Sequence, residues 1–254
     1  MILKDVFKNQ SKALLNIYFT AGFPEINSLP ELINGLEKAG ADLIEIGMPY
    51  SDPISDGPII QGSNFIAIEN GITTDLIFKQ LAKCQTNIPL IMMGYFNAVF
   101  QYGLKRFCEN CKATGVKGLI IPDLPMDEYR EKYQDLFEQY GISFIFLVTP
   151  QTSEERIRLI DQYSSAFIYV VSSASTTGKG KDIRDAEPYL ARLKAMKLKT
   201  PLMVGFNVST KSDFDFASQY ASGAIIGSAF IKFIRDTKAI EADTKLFVNS
   251  IKES

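Results

Sequence analysis

The chain has 254 residues, 27 basic and 29 acidic side chains, a net charge of −2 and a 46% hydrophobic composition. That is ample chain for a large core, and with 17 Gly, 11 Pro and no charge excess it excludes disordered and fibrous classes and any basic footprint for nucleic acid or an anionic membrane. Histidine is absent, which removes Ser-His-Asp and Cys-His catalysis, His-ligated metals and the usual neutral-pH base, so acid–base work falls to Asp, Glu, Lys, Tyr or Cys.

Along the chain, short apolar runs alternate with polar, helix-patterned stretches. Met1–Lys8 carries charges where a signal peptide needs an apolar core, so a cytoplasmic location is expected. Strands are predicted at Leu14–Thr20, Asp42–Gly47, Leu90–Tyr95, Gly118–Pro122, Ser143–Thr149, Ala166–Ser172, Leu202–Phe206 and Gly223–Gly227. Several are apolar at consecutive positions, as strands buried on both faces of a parallel sheet are. None approaches the ~18 apolar residues needed to span a bilayer. After the first strand, Ser28 as cap and Pro30 open a helix carrying Leu32, Ile33, Leu36 and Ala39, and Gly40 stops it. Cys108-x-x-Cys111 lacks a second pair or histidines and reads as two thiols on one helix; with Cys84 it makes too few cysteines for a disulfide framework. Ser153-Glu154-Glu155 opens a later helix.

Eight strand–helix units predict a (β/α)8 TIM barrel, an α/β fold, as a single domain over residues 1–254. The rival, a doubly wound open sheet, lacks its G-x-G-x-x-G after the first strand, and no G-x-x-x-x-G-K-[ST] occurs. In a barrel, function sits on the loops leaving the strands' C-terminal ends.

The strand exits read Thr20, Glu45, Tyr95, Asp123, Thr149, Ser172, Phe206 and Gly227. Glu45 stands out. The period of two sets Leu43, Glu45 and Gly47 on one face and the larger Ile44, Ile46 and Met48 on the other, which suits packing against helices. Glu45 then points into the barrel, where desolvation raises its pKa toward the range useful for proton transfer. The plainer reading is a Glu paired with Lys or Arg, but no exit carries a base. Asp56, in Ser55-Asp56-Gly57-Pro58, reads by itself as a turn; it gains weight because its loop leaves the strand carrying Glu45, so two carboxylates can reach one ligand. A Schiff-base aldolase would need a lysine at an exit, whereas Lys112 and Lys117 precede the fourth strand, and a metal aldolase would want histidines. No metal is predicted. Gly205-Phe206-Asn207 and Gly227-Ser228 suit an anion at the ends of the last two strands, the alternative for the latter being a simple helix start. Ser172–Lys181 is positioned to close over the site, or is a surface loop.

Glu45-Ile46-Gly47-Met48-Pro49-Tyr50-Ser51-Asp52-Pro53 running into Asp56-Gly57-Pro58-Ile59-Ile60-Gln61 resembles the signature of the tryptophan synthase alpha chain family. Phe19-Thr20-Ala21-Gly22, Tyr95-Phe96-Asn97, Pro122-Asp123-Leu124-Pro125, Thr177-Gly178 and Gly223–Ser228 extend the resemblance over essentially the whole chain. It implies a barrel that cleaves indole-3-glycerol phosphate to indole and glyceraldehyde 3-phosphate without a cofactor. It also implies a pyridoxal-phosphate beta chain as partner in an α2β2 assembly, touching Asp52, Pro53 and the Pro125 turn. By position, Glu45 is implied as the proton-transfer residue and Asp56 as the acceptor for the indole N–H. Tyr18, Met93, Tyr95, Ile120, Thr149 and Tyr169 are implied to line the indole pocket, with Thr177 in the closing loop beside the catalytic Asp. Gly178, Phe206, Asn207, Gly227 and Ser228 are implied to bind phosphate. Two positions depart from the family pattern: Asn207 replaces a glycine that lets backbone approach the phosphate, and Ser173 replaces an arginine at the start of loop six. Other phosphosugar barrels such as indole-3-glycerol phosphate synthase rely on strand-exit lysines, and a non-catalytic barrel would tolerate loss of Glu45 or Asp56; both carboxylates are present.

Overall fold

Nine parallel strands make one sheet: β1 (Leu14–Thr20), β2 (Leu43–Gly47), β3 (Leu90–Met93), β4 (Val116–Ile120), β5 (Ser143–Phe144), β6 (Leu147–Val148), β7 (Ile168–Val171), β8 (Leu202–Gly205) and β9 (Gly223–Ile226). The computed structural model describes residues 3–8, 12–54, 56–173 and 182–253. The strand order is β5-β4-β3-β2-β1-β9-β8-β7-β6. Because β5 and β6 are consecutive halves of one segment, the two ends of that order meet and the sheet closes into the expected (β/α)8 barrel. The predicted fifth strand is therefore split. Its first half pairs with β4 and its second with β7, and between them the Ile145 N–H donates to the Leu119 carbonyl while the Phe146 carbonyl accepts from the Tyr169 N–H. Tilt and stagger around the barrel move the segment from one ladder to the other.

The helices are α1 (Leu29–Ala39), α2 (Pro58–Glu69), α3 (Thr74–Leu81), α4 (Phe96–Tyr102), α5 (Leu104–Ala113), α6 (Met126–Glu128), α7 (Gln134–Gln139), α8 (Glu154–Tyr163), α9 (Glu187–Ala195), α10 (Lys211–Ser218), α11 (Ser228–Ile234) and α12 (Ile240–Lys252). A π turn over Tyr129–Tyr133 joins α6 to α7. Gly40 stops α1 as expected, with φ +86° and its N–H on the Glu37 and Leu36 carbonyls. Ser28 precedes α1, but its hydroxyl accepts from the Glu25 N–H instead of capping the helix; Pro30, which needs no N–H partner, sits in that first turn. Ser153 does cap α8, accepting from the Arg156 N–H. Cys108 and Cys111 are both buried on α5, and burial pushes both thiols up, which leaves them inert at neutral pH.

Two apolar layers follow from strand alternation. On β1, Leu15, Ile17 and Phe19 face the helices and join the large outer core. Leu14 of β1, Leu43 of β2, Ile91, Ile145 and Met203 fill the lower barrel interior, with Ile120 opposite Met93 in the β3–β4 register and Ile225 reaching the cavity wall. A 3-10 helix, Leu3–Phe7, seals the floor: Leu3, Val6 and Phe7 join the inner core, and the Phe7 ring lies 5.6 Å from Phe167. With the lower interior filled by aliphatics, the polar inward residues Asn16, Tyr18, Thr20 and Glu45 stand nearer the C-terminal mouth.

Candidate active site

Glu45 is buried, opposite Tyr18 in the β1–β2 register. Its Oε2 accepts from Asn16 Nδ2 at 3.1 Å, and among the described residues no cation pairs with it. Burial pushes its carboxyl from the usual 4.5 to about 8; the Asn16 hydrogen bond works against that shift and the charge of Asp56 adds to it. Asp56 lies at the end of the β2–α2 loop, its N–H on the Pro53 carbonyl and its Oδ2 accepting from Asn64 Nδ2 at 3.3 Å. Burial raises Asp56 to about 6, with the Asn64 hydrogen bond opposing. Two carboxyls thus face one space with different proton affinities, the arrangement that lets one act as acid while the other stays charged.

That space is a cavity of about 630 Å³ at the barrel mouth. Tyr18, Glu45, Asp56, Met93 and Tyr169 line one end, and Phe206, Asn207, Gly227 and Ser228 line the other. Burial raises the Tyr18 and Tyr169 hydroxyls well above the usual tyrosine range, so both rings stay neutral. Each ring occupies room left by a glycine on the neighbouring strand. A Cβ on Gly47 would fall on the Tyr18 hydroxyl, and one on Gly205 would fall on the Tyr169 ring. Tyr95 lines a small adjoining cleft with Tyr18, Asp56 and Met93, and its ring stacks on Tyr50 at 4.8 Å.

At the far end, Phe206 and Asn207 adopt consecutive left-handed conformations, φ +68° and +56°. Asn is among the side-chain-bearing residues that tolerate this region best, so Asn207 keeps the backbone turn that a glycine would make. The Ser172 hydroxyl donates to the Phe206 carbonyl at 2.7 Å and holds that turn against β7.

Ile120 and Thr149 do not join the cavity lining. Ile120 is buried in the inner core beside Met93, and Thr149 stands beyond β6, its N–H donating to the Thr152 hydroxyl. Thr177 and Gly178 lie outside the described residues.

The family model for the tryptophan synthase alpha chain matches residues 4–253. The chain belongs to this family. The tryptophan synthase alpha chain of Christiangramia forsetii is 54% identical over 226 residues, 88% of each chain, and that of Phocaeicola vulgatus is 44% identical over 99% of this chain and 98% of its own. Among solved structures, a tryptophan synthase alpha chain from Legionella pneumophila superposes with a TM-score of 0.82 at 33% identity, covering 94% of this chain and 90% of that one. A tryptophan synthase complex from Pyrococcus furiosus superposes at 0.83 and 30%, covering 94% and 97%.

Four polar residues of this alpha-chain barrel were not among the sequence candidates. Asn16 and Asn64 contact the two carboxyls, while Ser209 and Lys232 line the cavity near Asn207 and Ser228. Strand period would have found Asn16, two residues before Tyr18 on the inner face of β1. Helix period would have found Lys232, one turn beyond Ser228. Asn64 carries no such signal, because its position depends on how the 50–57 loop folds back over α2.

Proposed function

We propose that this chain is the alpha subunit that cleaves indole-3-glycerol phosphate to indole and glyceraldehyde 3-phosphate, acting beside a pyridoxal-phosphate beta chain in an α2β2 assembly. The observation that carries the reading is that Glu45 and Asp56 line the same cavity as Phe206, Asn207, Gly227 and Ser228. A phosphorylated substrate with an aromatic head needs both ends.

Indole is a poor carbon leaving group until its C3 is protonated. Glu45, neutral below about pH 8, gives its proton to C3 and takes one from the glycerol hydroxyl next to the breaking bond. The C3–C bond electrons return to the ring, the hydroxyl-bearing carbon becomes the aldehyde, and the proton count on Glu45 is restored. Asp56, ionised above about pH 6, accepts from the indole N–H and stabilises the cationic ring that exists only after protonation, a charge interaction stronger in the transition state than in the ground state. Tyr18, Met93 and Tyr169 provide an apolar wall for the ring and exclude water, with Tyr95 alongside. Phe206, Asn207, Gly227 and Ser228 offer backbone N–H groups and a hydroxyl to the phosphate.

Purified chain incubated with indole-3-glycerol phosphate should release indole slowly, and faster once the beta chain is added. Absence of indole in both conditions overturns the reading. Phosphate-sugar chemistry without indole release would favour another barrel function.

A further inference from the structure

We propose that Asn16 is a positioning residue for Glu45: its amide holds Oε2, which leaves Oε1 as the oxygen that carries the proton and exchanges it with substrate. This rests on Glu45 as the proton-transfer group. Asn16 is fully buried on β1, opposite Leu43 and one inward position below Tyr18. Its inward neighbours on the two strands, Leu14 and Leu43, belong to the apolar inner core. Its Nδ2 donates to Glu45 Oε2 at 3.1 Å, yet its own Oδ1 has no partner among the described residues. A buried amide with one end unsatisfied costs stability, and an aliphatic side chain would suit that layer better. The surviving contact is the one to Glu45, and Glu45 Oε1 makes no hydrogen bond within the described residues.

An acid that must donate and then recover a proton needs one oxygen fixed and the other free. Asn16 supplies a fixed neutral donor, which favours the carboxylate without neutralising it as a lysine would. The other groups facing Glu45 are Tyr18 from β1, Tyr169 from β7 and Asp56 from the β2–α2 loop. Both tyrosines remain neutral and Asp56 is anionic, so Asn16 is the group here that eases deprotonation.

The test is infrared titration of the buried carboxyl in the substrate-free chain, with Glu45→Gln identifying its band. In Asn16→Val the protonation midpoint of Glu45 should rise by about one to two pH units, the effect expected when a hydrogen bond to a charged group is lost. Asn16→Ser, which retains a donor in a smaller side chain, should fall between, and it carries the test should the Val variant not fold. In steady-state assays the alkaline limb of kcat should move up by the same amount in Asn16→Val, with KM changed by less than about twofold because Asn16 does not touch substrate. Midpoints within a few tenths of wild type in both variants overturn the proposal, as does a KM that rises while the kcat profile stays fixed. The titration needs no turnover, so a chain inactive on indole-3-glycerol phosphate would sink the assigned reaction while leaving the Asn16–Glu45 result readable.

Discussion

Glu45 and Asp56 differ in what surrounds them more than in what they are. Glu45 is wholly enclosed and Asp56 somewhat less so, which separates them at about 8 and about 6. With Asp56 required as the anion and Glu45 as the acid, kcat/KM should follow a bell, rising through about pH 6 and falling through about pH 8. Glu45→Gln keeps the volume and loses the proton, so indole release should fall by ~10²–10⁴. A folded Gln variant with near wild-type turnover would refute the role. The same variant makes a stability prediction of definite sign. A carboxyl whose pKa rises on folding binds its proton more tightly in the folded chain, so its contribution is intact below about 4.5 and is lost as pH climbs through about 8. Glu45→Gln should therefore melt increasingly above wild type as pH is raised across that window, as differential scanning calorimetry would register. Asp56→Asn should lower kcat while a substrate analogue still binds, because its charge counts most once the ring is cationic. Equal losses in analogue affinity and turnover would make it a ground-state binding residue instead.

At the scale of elements, the barrel's tolerances are set where strands touch with no side chain between them. Gly223 begins β9 against the start of β1, and a Cβ there would fall on the Leu14 carbonyl oxygen, which is backbone and cannot swing aside. Gly223→Ala should cost about 2–4 kcal/mol in a urea titration through strain at the β1–β9 seam; a loss under half a kilocalorie would show that the seam gives. Gly205 differs because the obstructing group is the Tyr169 ring. Gly205→Ala should push that ring into the cavity, and kcat/KM should fall about tenfold or more with the fold kept, since small misplacements of a substrate wall are costly. Thr210 and Asp213 form a reciprocal cap on α10, with Ser209 also donating to Asp213. This network anchors the segment running from the Phe206–Asn207 turn into α10.

For the molecule as a whole, the filled lower barrel and its Leu3–Phe7 floor close one end, and the cavity opens at the C-terminal mouth. Ile54, 83% exposed on the loop that ends in Asp56, is the most exposed large apolar side chain among the described residues. An apolar group this open on a loop that brings a carboxyl to the cavity is costly unless something covers it. With the beta chain as that partner, Ile54→Asp should weaken association about tenfold or more by calorimetric titration, since it places a charge in a desolvated contact. Unchanged affinity would move the interface elsewhere on the mouth.

Much of this was legible in the chain before folding. Apolar runs at strand length, alternating with helix-patterned stretches, dictated a barrel, because parallel strands buried on both faces leave few other closures. Period-two patterning turned Glu45 inward, since consecutive side chains on a strand must point to opposite faces. The absence of histidine and of strand-exit lysines narrowed the chemistry to carboxylates. What remained hidden depended on contacts between segments distant in the chain. The split of the fifth strand follows from barrel stagger, which no local pattern records. Ile120 and Thr149 stand at strand ends like the lining residues, yet Ile120 packs into the inner core opposite Met93 and Thr149 turns to Thr152, contacts that no strand pattern records. The amide of Asn16 meets its carboxyl only once β1 and β2 pair, 29 residues apart in the chain. The proton affinities that distinguish Glu45 from Asp56 come from desolvation, and desolvation belongs to the assembled barrel rather than to any residue within it.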